Sequence, residues 1–296
     1  MMRVALFGAT SKTGRYVTAA LAERGHEVVA IARSRERLDR LDPRARRAEG
    51  DLERPETIAR ALDGAECVAS LAHARFIPTL LEVLPPSCRR VVLTGSLRVA
   101  TRLADPAAEA VRAGEAAFRA SGRAGVMLHP SMIYGAPDDR NVNRILRLLR
   151  RLPPRVPVPL PLPDGGRHTV QPVFVDDMVA AFVAAIERPQ ADGAPIAVAG
   201  PEPITYRRMI ELCAEALGRR VMVVAVPVGA LARAAALLRR IGVQPPFDVD
   251  ELARSVEDKS FDIRDLQARL GIEPRSFAEG LKLKLARGWT GEPEVD

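Results

Sequence analysis

The 296-residue chain predicts a doubly wound α/β fold on a parallel sheet, with a smaller C-terminal α/β lobe. Three observations predict it. Short valine-rich apolar runs recur through the first 130 residues. Helical patterns of about the right length separate those runs. The first run opens directly into a glycine-bearing turn, "GATSKTGR" at residues 8–15.

The apolar runs are "RVALF" (3–7), "EVVAIA" (27–32), "ECVASLA" (66–72), "RRVVLTG" (89–95) and "GVMLHP" (125–130). Their apolar character is continuous rather than alternating, so each strand is expected to be buried on both faces. The helical patterns between them are "KTGRYVTAALAERG", "RPETIARALDG", "ARFIPTLLEVLP" and "PAAEAVRAGEAAFRASG"; Gly25, Gly64 and Gly122 are placed to close three of these helices. After about residue 135 the rhythm changes to a basic helix, "RILRLLRR" (144–151), followed by a Pro- and Gly-dense stretch over 153–166. Residues 195–285 mix strands ("PIAVAG", "VMVVAVP") with helices. The expected division is a dinucleotide-binding Rossmann domain over 1–135, with strand and helix returns from about 168–200, and a smaller substrate or partner lobe over 136–296.

Composition narrows the function classes. Hydrophobic residues make up 47% of the chain, enough for a substantial core. The net charge of +7 would permit a polyanionic partner, but the excess is scattered arginine without interleaved aromatics, so nucleic acid is not expected. Cys67, Cys88 and Cys213 show no paired spacing, which argues against a disulfide framework or a metal site and fits a reducing, cytoplasmic location. The apolar part of the N-terminus is too short for a signal peptide. "VMVVAVPVGALARAAALL" (221–238) contains Pro227 and Arg233 and reads as strand, turn and helix, not as a membrane span.

The glycine turn admits two phosphate-binding readings. A triphosphate loop needs glycines where this chain has Leu6 and Ser11, so that reading fails. A dinucleotide cradle fits better. Gly8 ends the first strand, Gly14 sits where the helix must approach the strand, and the helix N-terminus between them offers amide groups to a pyrophosphate. Ser11 replaces the middle glycine, a real departure, although its hydroxyl is able to donate to a phosphate oxygen. Thr10, Lys12 and Thr13 complete the candidate cradle. At the end of the second strand stands Arg33, where a carboxylate would bind ribose hydroxyls; a guanidinium there suits a 2′-phosphate and favours NADP over NAD.

With these motifs in view, the chain resembles the extended and atypical short-chain dehydrogenase/reductases, the NAD(P)-binding epimerase/dehydratase-like branch, over nearly its whole length. "GATSKTGRYV" is similar to that family's "GATGxxGxxV", and "EGDLERPETIARALDGAECV" to its "GDLxDxxxLxxAxxGxDxV". The resemblance places Asp51 and Leu52 by the adenine and Ala72 beside the cofactor. "HPSMIYGAPDD" is similar to "RPxxxYGPxD", with His129 in place of the usual Arg, and "VFVDDMVAAFVAAIERP" to "xVxDxAxAxxxALExP". "GPEPITYRRMIELCAEALGRRVMVVAVP" and "LGIEPRSFAEGL" resemble its C-terminal lobe. The family's chemistry uses a Ser or Thr followed by Tyr-x-x-x-Lys on the helix after the fifth run. Ser96 matches the serine, but the dyad positions fall near Ala107 and Val111. Tyr occurs only at 16, 134 and 206, and no Lys lies between 13 and 258, so no shift of alignment restores it.

Two readings follow. One is an NADP-dependent oxidoreductase or epimerase-type enzyme acting on a small molecule, with Ser96, Tyr134 and His73 as substitute proton-handling groups. The other is a cofactor-bound sensor, regulator or accessory subunit, similar to NmrA-like proteins or the nucleotide-binding accessory subunit of complex I. Residues 144–151 and 228–238 are then the candidate contacts for a protein partner or a membrane surface. Asp176 and Asp177 are expected to lie at a helix start, one of them as the N-cap.

Overall fold

The structure is a computed structural model that describes residues 1–154, 156–240, 242 and 256–289. In chain order the strands are β1 (Arg3–Phe7), β2 (Glu27–Ala32), β3 (Arg46–Glu49), β4 (Cys67–Ser70), β5 (Arg90–Thr94), β6 (Gly125–Pro130) and β7 (Ile133–Tyr134). They continue with β8 (Val158–Pro163), β9 (Thr169–Val170), β10 (Val173–Phe174), β11 (Ile196–Val198), β12 (Ile204–Thr205) and β13 (Val221–Val226). The helices are α1 (Gly14–Glu23), α2 (Arg35–Asp39), α3 (Ala59–Leu62), α4 (Ile77–Glu82), α5 (Pro106–Ala120), α6 (Val142–Arg150), α7 (Val175–Glu187), α8 (Tyr206–Ala216) and α9 (Val228–Arg240), followed by Arg264–Leu270 and Phe277–Ala286. The chain divides into two compact units. The first comprises Met1–Ala136, Val173–Ala199 and Asp262–Pro274; the second comprises Pro137–Pro172, Gly200–Phe261 and Arg275–Asp296.

The first unit holds a seven-stranded sheet in the order β11-β6-β5-β4-β1-β2-β3. Every pairing in it is parallel. The order reverses between β1 and β4, which opens a crevice at their carboxyl ends, where ligands of such sheets bind. The five predicted runs form β1, β2, β4, β5 and β6, and Val4 to Phe7, Val28 to Ile31 and Val91 to Leu93 are buried as their continuous apolar character requires. Gly25, Gly64 and Gly122 do take positive φ after their helices, at 79°, 66° and 61°. One strand of the sheet carried no such signal, the polar edge strand β3 ("RRAE"), while the three-residue β11 lies within the predicted "PIAVAG". The second and third helical patterns begin as 3-10 turns at Pro55–Thr57 and Ala74–Phe76 before becoming α-helix.

Arg90 braces this unit. Its buried guanidinium donates to the carbonyls of Ala185 (2.9 Å) and Arg188 (2.7 Å) at the end of α7 and pairs with Asp192 at 2.6 Å. It thereby satisfies carbonyls that a helix end leaves open. Asp176 and Asp177 require a correction. The residue preceding α7 is Phe174, and both aspartates lie within the first turn, so neither is the N-cap; there their charges complement the helix dipole.

In the second unit α6 buries Val142, Ile145, Leu146 and Leu149 and exposes Arg144 and Leu148, the one-sided stripe its sequence predicts. The Pro-rich stretch becomes β8, which pairs in parallel with β13 from Val158↔Val221 to Pro163↔Val226. Lys284 and Asp139 form an almost fully buried ion pair at 3.0 Å, joining the helix Phe277–Ala286 to the start of α6, where Asp139 also accepts the Asn143 amide at 3.1 Å. Gln171 ties two strands of chain together, donating to the Gly200 carbonyl (2.8 Å) and accepting the Phe261 amide (2.7 Å). Among the described residues no helix is long and apolar enough to cross a membrane.

Candidate functional site

The crevice at the ends of β1 and β4 is shaped by two glycines. Gly8 adopts φ +69°, and a Cβ there would lie 2.9 Å from the Leu71 carbonyl carbon and 3.0 Å from the Ala72 nitrogen. The turn after β1 therefore runs directly against the chain leaving β4. A Cβ on Gly14 would stand 2.1 Å from the Gly8 carbonyl oxygen, so the first turn of α1 rests on the end of β1 backbone to backbone. No other residue type fits either position unstrained.

Ser11 does not fill the space above this corner. Its amide donates to the Gly8 carbonyl (2.9 Å), and its Oγ turns back to accept the Gly14 amide (3.0 Å). The departure from glycine is thus absorbed by an internal cap, and the hydroxyl proton stays available to a ligand. Thr13 precedes α1 with helical dihedral angles, and no side chain from it caps the helix. Thr10 and Lys12 lie on the same turn, both half-buried.

At the end of β2, Arg33 is exposed and has no ion-pair or hydrogen-bond partner among the described residues. Its neighbours are occupied: Arg35 pairs with Asp39 at 3.3 Å, and Ser34 caps α2 by accepting the Arg37 amide at 3.3 Å. No carboxylate follows β2 in the positions a ribose-binding acid would take. Asp51 accepts the Glu53 amide at 3.0 Å and shapes the turn after β3, while Leu52 is buried in the hydrophobic core. The Ala72 amide donates to Ser70 Oγ at 3.3 Å.

The three candidate proton-handling groups are placed unequally. His73 is exposed at the end of β4, where its Nδ1 accepts the Arg75 amide at 3.2 Å, leaving Nε2 as the protonated nitrogen of the neutral ring. Ser96 follows β5, the neighbouring strand; its Oγ accepts the Arg98 amide at 3.1 Å and keeps its own proton to donate. Tyr134 is fully buried, with its ring edge-on to Phe174 at 5.4 Å. The helix that carries the dyad in the resembling family is α5. Here Val111 is buried, and Gly114 brings the helix so close to the turn after His73 that a Cβ would meet the Ala74 carbonyl at 2.9 Å.

His129, which the sequence marks only as a replacement for the usual Arg, has a packed role. It is buried, its Nδ1 donates to the Ser96 carbonyl at 3.1 Å, and its Nε2 lies 3.8 Å from Glu115 of α5. Gly95 makes room for it, since a Cβ there would fall 2.8 Å from the imidazole Cε1. The signal was present in the glycine after β5, but only the packed structure joins it to a residue on the next strand. The cysteines stand outside this chemistry: all three are buried free thiols, and burial pushes Cys67 and Cys213 up to about 12.

Residues 8–141 match the family model described as NAD(P)H-binding. An uncharacterized protein of Mycobacterium tuberculosis (strain H37Rv) is 29% identical across 94% of this chain, which spans 31% of that relative's length. Among solved structures, MoeE5 in complex with UDP-glucose and NAD superposes with a TM-score of 0.72 at 20% identity, covering 97% of this chain and 98% of that one. The Thermotoga maritima UDP-glucose 4-epimerase with UDP-glucose gives 0.69 at 18% identity over 96% and 98%. The Bordetella bronchiseptica enzyme WbmG in complex with NAD and UDP gives 0.72 at 14% over 99% and 96%. At these identities the structural likeness speaks for the fold.

Proposed function

We propose that the chain, whose residues 8–141 match an NAD(P)H-binding family model, is a member of the epimerase/dehydratase-like short-chain dehydrogenase/reductases and binds NADP(H) at the Gly8–Gly14 corner of its first unit. The observation that carries this reading is the pair of positions where no Cβ fits, combined with an unpartnered Arg33 at the end of β2. Gly8 and Gly14 let backbone amides approach a pyrophosphate. Thr10, Ser11, Lys12 and Thr13 surround it. Arg33 holds the 2′-phosphate through charge-assisted hydrogen bonds, and Asp51, Leu52 and Ala72 shape the rest of the groove.

When bound, the nicotinamide supplies a hydride donor or acceptor. Proton handling then falls to Ser96 and His73, on adjacent strand ends, in an oxidoreductase or epimerase-type reaction on a small molecule. Tyr134 is a weaker candidate because it is buried against Phe174. A second reading has its own support. With Ala107 and Val111 in the dyad positions and α5 packed through Gly114 onto the turn after His73, the chain holds the cofactor without turnover, as a sensor or accessory subunit. A titration with NADPH and NADH tests binding. Incubation of the bound protein with carbonyl compounds and UDP-sugars then separates the readings: turnover lost in Ser96→Ala or His73→Ala supports the enzyme. The sugars belong in the panel because similar structures hold UDP-glucose.

A further inference from the structure

The excess positive charge is not evenly spread. From Arg140 to Pro163 the sequence carries six arginines and no acid, and from Ala216 to Arg240 five arginines and no acid. Neither stretch contains an aromatic residue. The fold of the second unit sets these two stretches side by side. β8 comes from the first and β13 from the second, paired in register, and the Arg219 side chain donates to the Arg150 carbonyl at 3.4 Å, so the end of α6 meets the approach to β13.

The two-stranded ribbon has one covered and one open face. One side packs against α8 and the turn Asp164–Gly166. Successive side chains alternate along a strand, and registered residues of paired strands share a face. That rule puts Met222 and Val224 of β13, and Arg220 just before it, on one face with Pro159 and Pro161 of β8. All five are exposed, Met222 by 55% and Val224 by 39%. Such alternation normally turns polar residues to water, and here it turns apolar ones. Arg151, Arg220, Arg233 and Arg240 are exposed, with no carboxylate partner among the described residues. Leu148 and Leu237, each between arginines on α6 and α9, are exposed as well.

We propose that the open β8–β13 face, with Arg220 on it and the other exposed arginines of this unit, docks on an anionic phospholipid surface. The apolar side chains enter the acyl boundary while guanidinium groups stay at the level of the phosphates, the division of labour that interfacial segments use. Charge complementarity selects the partner: a neutral surface leaves the arginines unused, and a nucleic acid would need aromatics or a polar reading surface that the ribbon lacks. An acidic protein would use the arginines and has no need of an exposed proline-methionine-valine face.

The test is flotation of the full chain with vesicles of phosphatidylcholine alone and of phosphatidylcholine mixed with phosphatidylglycerol, at low and high salt. The expected result is binding to the mixed vesicles only, weakened by salt. M222S/V224S lowers the apparent affinity about tenfold, and R220E by a similar factor. Because these side chains face solvent, both variants keep the parent's melting temperature, which is measured alongside. Absence of binding to the mixed vesicles overturns the proposal. So does binding that neither M222S/V224S nor R220E weakens, and so does equally tight binding to polyglutamate or DNA, which would make the surface a general polyanion site.

Discussion

At the Gly8–Gly14 corner a single added methyl group would stand 2.1 Å from a backbone oxygen, whereas α5, which carries the proton-transfer dyad in the resembling family, offers Ala107 and Val111 and closes on its neighbour through Gly114. The two regions lie in one unit and on one sheet, yet they are kept by different means. The Gly8–Gly14 corner, the proposed phosphate site, is written in backbone geometry, which tolerates few residues and announces itself through glycine. The proposed proton-handling edge would depend on side-chain chemistry, which leaves the fold untouched when it is replaced. On the proposed reading, such a chain keeps a cofactor cradle while the groups that would handle protons are substituted.

The sharpest way to break this contrast is Gly14→Ala. Overlap with the Gly8 carbonyl should cost about 3 kcal/mol of stability in urea unfolding and remove measurable NADPH binding. Arg33→Glu comes next: loss of charge-assisted bonds and a like-charge repulsion weaken NADPH about tenfold to hundredfold while NADH changes by less than about threefold. On the other side of the comparison, Ser96→Ala and His73→Ala should leave NADPH affinity within about threefold. If the chain turns substrate over, each lowers the rate about a hundredfold. Tyr134→Phe keeps the ring packed edge-on to Phe174 and should change stability by at most about 1 kcal/mol, with no effect on the dinucleotide. The smallest effect is expected for Ser11→Gly, which removes the Oγ acceptor of the Gly14 amide. It costs at most about 1 kcal/mol by thermal unfolding and leaves NADPH affinity within about threefold.

Much of this was legible in the sequence because it rests on local rules. The buried strands β1, β2, β4, β5 and β6 announce themselves as apolar runs, and Gly25, Gly64 and Gly122 mark where helices end. β3 was not legible, since "RRAE" joins the sheet through backbone pairing alone at its edge. The N-terminal register of α7 was misjudged: two aspartates suited a cap, but the helix starts one residue after Phe174 and absorbs both. In the proposed site, the glycine turn at Gly8 and Gly14 and the position of Arg33 after β2 were legible from spacing. The inward turn of Ser11, the burial of Tyr134 and the His129–Ser96 bond could not, because each joins residues through a packed neighbour that sequence order does not reveal.

A calorimetric titration of the whole chain with NADPH and, in parallel, NADH tests dinucleotide binding most directly. A saturable heat with NADPH, and a weaker one with NADH, is the predicted result. A chain that is folded by circular dichroism yet gives no saturable heat with either dinucleotide would contradict it.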